Sequence, residues 1–284
     1  MKAPTRPVLR YHGGKFRLAP WILSFFPAHR IYCEPFGGAA SVLLLKERSY
    51  AEIYNDLDNE VVNLFRVLRD PASAEQLTTA IYLTPFAREE FRASYGETSD
   101  PIEMARRTIT RSFMGFGTTT LRHNRTGFRA KANRQNQPAQ MDWTKYPEHV
   151  ASFTERLRGV VIEHRDALEI IAQQDGPETL FYVDPPYPHV TRTAIKSHND
   201  TAYKHEMTDA DHRALADVLR SCRGMVVLSG YPCDLYDLEL FSSWQRFERA
   251  ALADGARERT EVVWLNQACV AALEQQPEQQ RMFA

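Results

Sequence analysis

Leu180-Phe181-Tyr182-Val183-Asp184-Pro185-Pro186-Tyr187 reads as a buried strand that stops abruptly at a carboxylate. Apolar and aromatic side chains suit a sheet interior. Two successive prolines forbid both a helix and a central strand, so the chain must turn sharply at the strand's carboxyl end. The same grammar recurs along the chain. Residues 31–33 lead to Glu34, 51–54 to Asn55 and Asp56, 160–163 to Asp166, and 225–228 to Ser229. Helical patterns lie between these runs. Residues 59–68 carry apolar side chains at 61, 62, 64, 65 and 68 before Asp70-Pro71 interrupts them. Thr208 with Asp211 three residues on makes a capping-box pattern for a helix reaching about Ser221, with Gly224 beyond it. Strands alternating with helices predict a parallel, doubly wound α/β sheet. Ligands of such sheets bind beyond the carboxyl ends of the strands, which makes Glu34, Asp56, Asp166 and Asp184 a candidate site. Asp is also a favoured N-cap, so each could instead serve only to start the next helix.

The composition supports a globular protein and little else by itself. Of 284 residues, 43% are hydrophobic and 25% charged, enough apolar material to form one large domain or two modest ones. The longest apolar runs, such as 39–45 and 225–228, fall far short of the roughly 18 residues of a bilayer span. Residues 21–26 are too short for a secretory core and lack a cleavage signal. Cys33, Cys222, Cys233 and Cys269 show neither a C-x-x-C pair nor metal-ligand spacing. That pattern predicts reduced thiols in a cytosolic compartment and no metal site.

Residues 71–149 break the alternation of strand and helix and are expected to form an inserted second domain. They also hold a charge asymmetry hidden by the overall net charge of -1. Between Met104 and Met141 stand Arg106, Arg107, Arg111, Arg122, Arg125, Arg129, Lys131 and Arg134 with no Asp or Glu, so this stretch is +8 and the remainder −9. A solvated basic face is the simplest account. Interleaved Phe113, Phe116, His123, Asn124 and Phe128 favour a nucleic-acid surface, where Arg meets phosphate or guanine, Asn pairs with adenine and an aromatic ring fills an unstacked gap.

Asp184-Pro185-Pro186-Tyr187 fixes a carboxylate acceptor, outward carbonyls and an aromatic ring within four residues, a set suited to a planar amine. Asp184 and the Pro185 carbonyl can accept two N–H groups while Tyr187 stacks on the ring. A Pro-Pro turn capped by Asp for structural reasons is the alternative. The tetrapeptide resembles the D-P-P-Y signature of amino-methyltransferases, and the chain as a whole resembles Dam-type (D12 class) DNA adenine-N6 methyltransferases. Tyr11-His12-Gly13-Gly14-Lys15 is similar to the family's N-terminal aromatic-x-G-G-K element. Glu34-Pro35-Phe36-Gly37-Gly38-Ala39-Ala40-Ser41 is similar to its E-P-F-x-G-x-G-S loop, with Ala40 in place of the second glycine. Tyr54-Asn55-Asp56 and Arg165-Asp166-Ala167 resemble its two further acidic segments, in the family's order.

The resemblance implies a Rossmann-like sheet of the S-adenosylmethionine-dependent methyltransferases, formed by residues 1–70 and 150–284, with a mainly helical DNA-recognition insertion at 71–149. It implies S-adenosylmethionine as cofactor, held by Tyr11, Lys15, Glu34, Pro35, Phe36, Gly37, Gly38, Asp56, Asp166, Ala167 and Asp184. In that scheme the helix beginning near Ser41 directs amides at the methionine carboxylate, Asp56 accepts the ribose hydroxyls, and Asp166 and Ala167 meet the cofactor's adenine. Asp184, Pro185, Pro186 and Tyr187 act on an adenine flipped out of double-stranded DNA. Arg122 and Asn124 match the family's target-reading hairpin best, joined on the DNA side by Phe116 as an aromatic wedge, Arg125 and Arg129, while Arg106 and Arg134 are candidates for phosphate. The same resemblance implies a monomer or weak dimer in a bacterial or phage-infected cytoplasm, working at the nucleoid, and a restriction-modification setting. Cytosine-N4 methylation, RNA methylation and a catalytically silent DNA-binding module remain alternatives from the residues alone.

Overall fold

The computed structural model describes residues 4–117, 126–130, 138–191, 204–252 and 258–276. Seven strands, β1 (Ile31–Glu34), β2 (Ala51–Asn55), β3 (Val160–Glu163), β4 (Thr179–Val183), β5 (Met225–Gly230), β6 (Gln245–Leu252) and β7 (Glu258–Leu265), form one sheet in the order β3-β2-β1-β4-β5-β7-β6. The five strands expected from the apolar runs all pair in parallel: Cys33 lies beside Ile53 and Phe181, and Tyr182 beside Val227. The strand order reverses between β1 and β4, so Glu34 and Asp184 flank the crevice that this reversal opens.

The antiparallel β6–β7 hairpin completing the sheet was not foreseen from the sequence. β6 is the sheet edge and carries Arg246, Glu248 and Arg249, charges that discourage pairing with another chain. An edge strand has no need of a continuous apolar run, which is why periodicity did not reveal it.

Alternate residues along the strands feed two cores. Tyr54, Tyr182 and Val263 face one, and Ile53, Phe181 and Val262 the other, as the two-residue period of a strand requires. Two helices, α9 (Ala167–Gln174) and α10 (Asp209–Ser221), cover the second core; the first receives α1 (Ala19–Leu23), α2 (Ser41–Leu45), α3 (Asn59–Arg69) and α11 (Gln267–Glu274). Thr208 does cap α10 through a reciprocal capping box with Asp211, and α3 begins and ends within a residue of its expected bounds.

Between α3 and β3 the chain forms α4 (Pro71–Leu83), α5 (Arg88–Ala93), α6 (Pro101–Met114), α7 (Ala139–Thr144) and α8 (Pro147–Leu157). Leu77, Ile109, Phe113, Trp143 and Phe153 from these helices join Phe65 of α3 in the first core. The helical segment is therefore mounted on the sheet's own covering helix through continuous apolar packing.

Candidate active site

An open cleft lies at the carboxyl ends of β1, β2 and β4. Its floor is the turn after β1. Ala40 N–H donates to the Gly37 carbonyl at 2.7 Å, closing a tight loop that delivers the chain into α2. A Cβ on Gly37 would lie 2.1 Å from the Tyr54 ring, so only glycine fits there. Tyr54 in turn donates its hydroxyl to the Gly38 carbonyl at 2.7 Å. Gly38 and Ala40 both adopt left-handed backbone, with φ of 46° and 51°, and Ala40 is the one non-glycine residue to do so among the described residues. An alanine in this left-handed conformation carries local strain.

Three carboxylates approach this loop. Asp56, at the end of β2, accepts from Gly38 N–H and Asp58 N–H, both at 2.8 Å, so it holds the glycine loop in place. Burial nevertheless pushes its carboxyl above the usual range. Glu34 is buried and accepts from the Tyr32 hydroxyl at 2.6 Å and from Leu43 N–H at 2.8 Å. Desolvation pushes its carboxyl up to about 8, outweighing those two donors. An amide at the start of α2 that was expected to face the cofactor's carboxylate is thus used by Glu34. Asp166 caps α9, accepting from Leu168 N–H at 2.8 Å, and its side chain lies exposed outside the cleft while Ala167 lines it.

Asp184 follows β4 and is held from three directions. Lys15 Nζ lies 3.0 Å from Oδ2, Ser229 donates to Oδ1 at 2.8 Å, and the Tyr187 hydroxyl donates to Oδ1 at 3.1 Å. Lys15 is itself buried, bonded to the Gly13 carbonyl at 2.7 Å, and sits 4.9 Å from the centre of the Tyr187 ring. Pro185 is buried beneath the turn and Pro186 lines the cleft. Tyr187 is only 3% exposed, packed edge-on against Tyr231 at 4.6 Å. The result is a carboxylate of fixed orientation at the mouth of a ligand cleft.

Of the residues expected on the cofactor side, Tyr11, Lys15, Glu34, Pro35, Phe36, Gly37, Gly38, Asp56, Ala167 and Asp184 all line the one cleft. Several contributors went unrecognised in the sequence. Residues 204–207 close over the cleft, anchored by Lys204, whose ammonium pairs with Asp58 at 2.8 Å and Glu60 at 3.6 Å. Asn55 ties two loops together, donating to the carbonyls of Pro35 and Arg165 and accepting from Arg165 N–H. Ser229 was legible as the end of β5 but not as a partner of Asp184, because only the fold brings positions 184 and 229 together.

On the candidate DNA side, an antiparallel bridge joins the residues after α6 to the segment 126–130: Gly115 pairs with Phe128, and Phe116 N–H donates to the Gly127 carbonyl at 2.6 Å. Phe116 stands beside this bridge, 57% exposed. Arg129 is half-buried and donates to the Phe113 carbonyl at 3.1 Å. Phe128 turns inward against Phe86 and Phe91. Arg122, Asn124, Arg125 and Arg134 lie outside the described residues. Arg106 departs from expectation: it binds Glu103, Glu90 and Thr84 through all three guanidinium nitrogens, so its charge serves packing between helices rather than a phosphate. Arg107 and Arg111 are likewise paired, with Glu103 and Glu60. Glu103, immediately before the counted stretch, and Glu60 and Glu90, distant in sequence, supply the missing negative charge.

The seven-stranded α/β sheet, its glycine loop and the cleft at Asp184 are consistent with the fold of an S-adenosylmethionine-dependent methyltransferase. Residues 11–255 match the family described as D12 class N6 adenine-specific DNA methyltransferase, and the chain belongs to that family. It is 29% identical over 231 residues to the DNA adenine methylase of Haemophilus influenzae, covering 78% of this chain and 76% of that one. The DNA adenine methylase of Serratia marcescens is 28% identical over 269 residues, covering 87% and 89%. That of Escherichia coli K12 is 24% identical over 205 residues, covering 70% and 69%. Site-specific DNA adenine methylation is thus the activity of this fold, and cytosine-N4 methylation and a silent binding module are not favoured.

Proposed function

We propose that the enzyme methylates adenine N6 in double-stranded DNA, with S-adenosylmethionine as donor, after the target base leaves the helix. The observation that carries this reading is the convergence of Lys15, Ser229 and Tyr187 on Asp184 at the edge of the glycine-loop cleft. The cleft fits the donor. Gly37 and Gly38 bring backbone to its surface, and Ser41 Oγ, buried at the head of α2, has no hydrogen-bond partner among the described residues and is available to a ligand. Asp56 has acceptor capacity left after its two amide bonds, enough for hydroxyl groups. Glu34 offers a carboxyl toward a cationic group.

Bound S-adenosylmethionine supplies an electrophilic methyl on a sulfonium. The protein's part is to orient and to stabilise charge. Adenine N6 is a weak nucleophile because its lone pair is delocalised into the ring. Asp184, accepting an N6 proton, draws density onto nitrogen and balances the positive charge that develops there. Lys15 and Ser229 hold the carboxylate so that little reorganisation is required at the moment of transfer. Positioning of two reactants supplies roughly 7–11 kcal/mol and a fixed electrostatic contact about 3–4, so orientation dominates. Extruding the base costs a few kcal/mol, which contacts from the helical insertion must offset. The 71–149 segment is accordingly read as the target-recognition part, and Arg122 and Asn124 as readers of base edges.

The test is methylation of genomic DNA with labelled cofactor followed by nucleoside analysis. N6-methyladenine is expected from the parent, and Asp184→Ala should lose activity by about 100- to 1,000-fold while still binding DNA. N4-methylcytosine as the product, or an Asp184→Ala rate within about threefold of the parent, would overturn the assignment. No described helix is long and apolar enough to cross a membrane, which accords with action in the cytoplasm at the nucleoid, as a monomer or weak dimer.

A further inference from the structure

Glu261 lies on β7, beyond the stretch matched to the family, and has no part in the motifs read from the sequence. It is 7% exposed, and its Oε2 is 3.3 Å from the Tyr187 hydroxyl, which also lies 3.1 Å from Asp184 Oδ1. One hydroxyl thus stands between two carboxyl groups. A phenol carries a single proton and can donate fully to only one acceptor; its second contact is favourable only if the other carboxyl donates to it. Of the two, Asp184 is the carboxyl held against a cation, with the Lys15 ammonium at 3.0 Å and the Ser229 hydroxyl at 2.8 Å. That leaves Glu261 as the carboxyl of the two suited to carry a proton.

We propose that Glu261 is a positioning residue for methyl transfer: its protonated carboxyl donates to the Tyr187 oxygen, which commits the Tyr187 proton to Asp184 and fixes both side chains. The inference rests on the assignment of Asp184 and Tyr187 as the amine-binding pair. Burial raises the Glu261 carboxyl above its ordinary range, with Asp184 adding to the effect. Lys15 from the N-terminal loop, Tyr187 and, on its own strand, Arg259 act in the opposite direction. Tyr231, on the loop after β5, faces the same cluster through its contacts with Tyr187 and Arg259. As pH rises through that raised range Glu261 ionises, Tyr187 must choose between two anions, Asp184 loses a donor, and the rate falls.

Gln can make the same donation and cannot ionise. Glu261→Gln should retain kcat within about threefold of the parent's low-pH plateau and lose the fall in kcat as pH rises. Glu261→Ala should lower kcat about tenfold, as expected for one buried hydrogen bond, with cofactor affinity and Tm close to the parent's. Rates are to be measured on a short duplex at saturating cofactor across pH 6 to 10, with thermal melts of each variant. A Glu261→Gln profile superimposing on the parent's, or Glu261→Ala with parental kcat, would overturn the proposal. If Glu261→Ala melts early, the Gln profile alone decides. If the parent produced no N6-methyladenine at all, the amine-pair assignment would fail first, a result distinct from either outcome at Glu261.

Discussion

The strained residue of the cofactor loop is Ala40, and its conformation sets a sharp test. Its φ of 51° belongs to the left-handed region, and its side chain is 0% exposed. Ala40→Gly relieves strain of about 1–2 kcal/mol, but glycine adds about 0.5–1 kcal/mol of unfolded-state entropy and a buried methyl worth about 0.8 kcal/mol is lost. The terms nearly cancel, so stability by urea denaturation should stay within about 1 kcal/mol of the parent. Ala40→Val has no such offset: a β-branched side chain at positive φ, in a filled site, should cost about 3 kcal/mol or more. A valine variant as stable as the parent would mean that the loop does not hold this backbone. Ala40 also shows what a sequence conceals. Its departure from glycine was plain in the sequence, but the consequence depends on a dihedral angle that only the folded loop imposes.

Among the elements, α6 carries charge that was read from the sequence as a DNA face and that the fold uses internally. Arg106 reaches Glu103 at 2.6 Å on its own helix, Glu90 at 3.0 Å on α5, and the Thr84 hydroxyl at 3.0 Å at the end of α4, so one side chain fastens three helices. Arg106→Ala should reduce stability by about 2 kcal/mol, the scale of hydrogen bonds to a charged group. The salt dependence of DNA binding should not change, whereas loss of a phosphate contact would reduce the slope by about one unit; a reduced slope with parental stability would restore Arg106 to the DNA face. The same cluster holds the Glu103 carboxyl down at about 2, chiefly through its hydrogen bond to Arg106. A depressed folded-state value stabilises fully above the unfolded value near 4.5 and loses that contribution as pH falls through about 2. The stability gap between the parent and Glu103→Gln should accordingly be widest above pH 5 and narrow steadily toward pH 2. The parallel strands were legible because burial on both faces demands continuous apolar runs, and the acidic residues at their ends because chemistry gathers there. The pairing of Arg106, Arg107 and Arg111 was not, since two of their three partners come from elsewhere in the chain.

At the scale of the whole molecule, the cleft and the Gly115–Phe128 bridge are joined by short links. Ser112, near the end of α6, accepts from Arg10 N–H at 2.7 Å and donates to the Arg10 carbonyl at 3.2 Å, next to Tyr11 of the cleft wall. Two residues after Met114 closes α6, Phe116 stands exposed beside the bridge of Gly115 to Phe128. A helix fixed at the cleft thus presents an exposed aromatic ring on a paired, well-anchored turn. If that ring fills the gap left by an extruded adenine, its worth is that of base–aromatic stacking, about 1–3 kcal/mol, and it matters only where a gap must be opened. Phe116→Ala should therefore lower kcat/KM by about tenfold or more on a duplex with a paired target adenine. On a duplex whose target adenine faces an abasic position, extrusion is easier and much of the loss should disappear. Equal losses on the two substrates would make Phe116 an ordinary DNA contact, and no loss on either would remove it from the interface. The comparison also tests the proposed division of labour, in which the sheet performs the transfer and the helical insertion meets the cost of bringing the base to it: on that proposal Asp184→Ala should be equally defective on both duplexes.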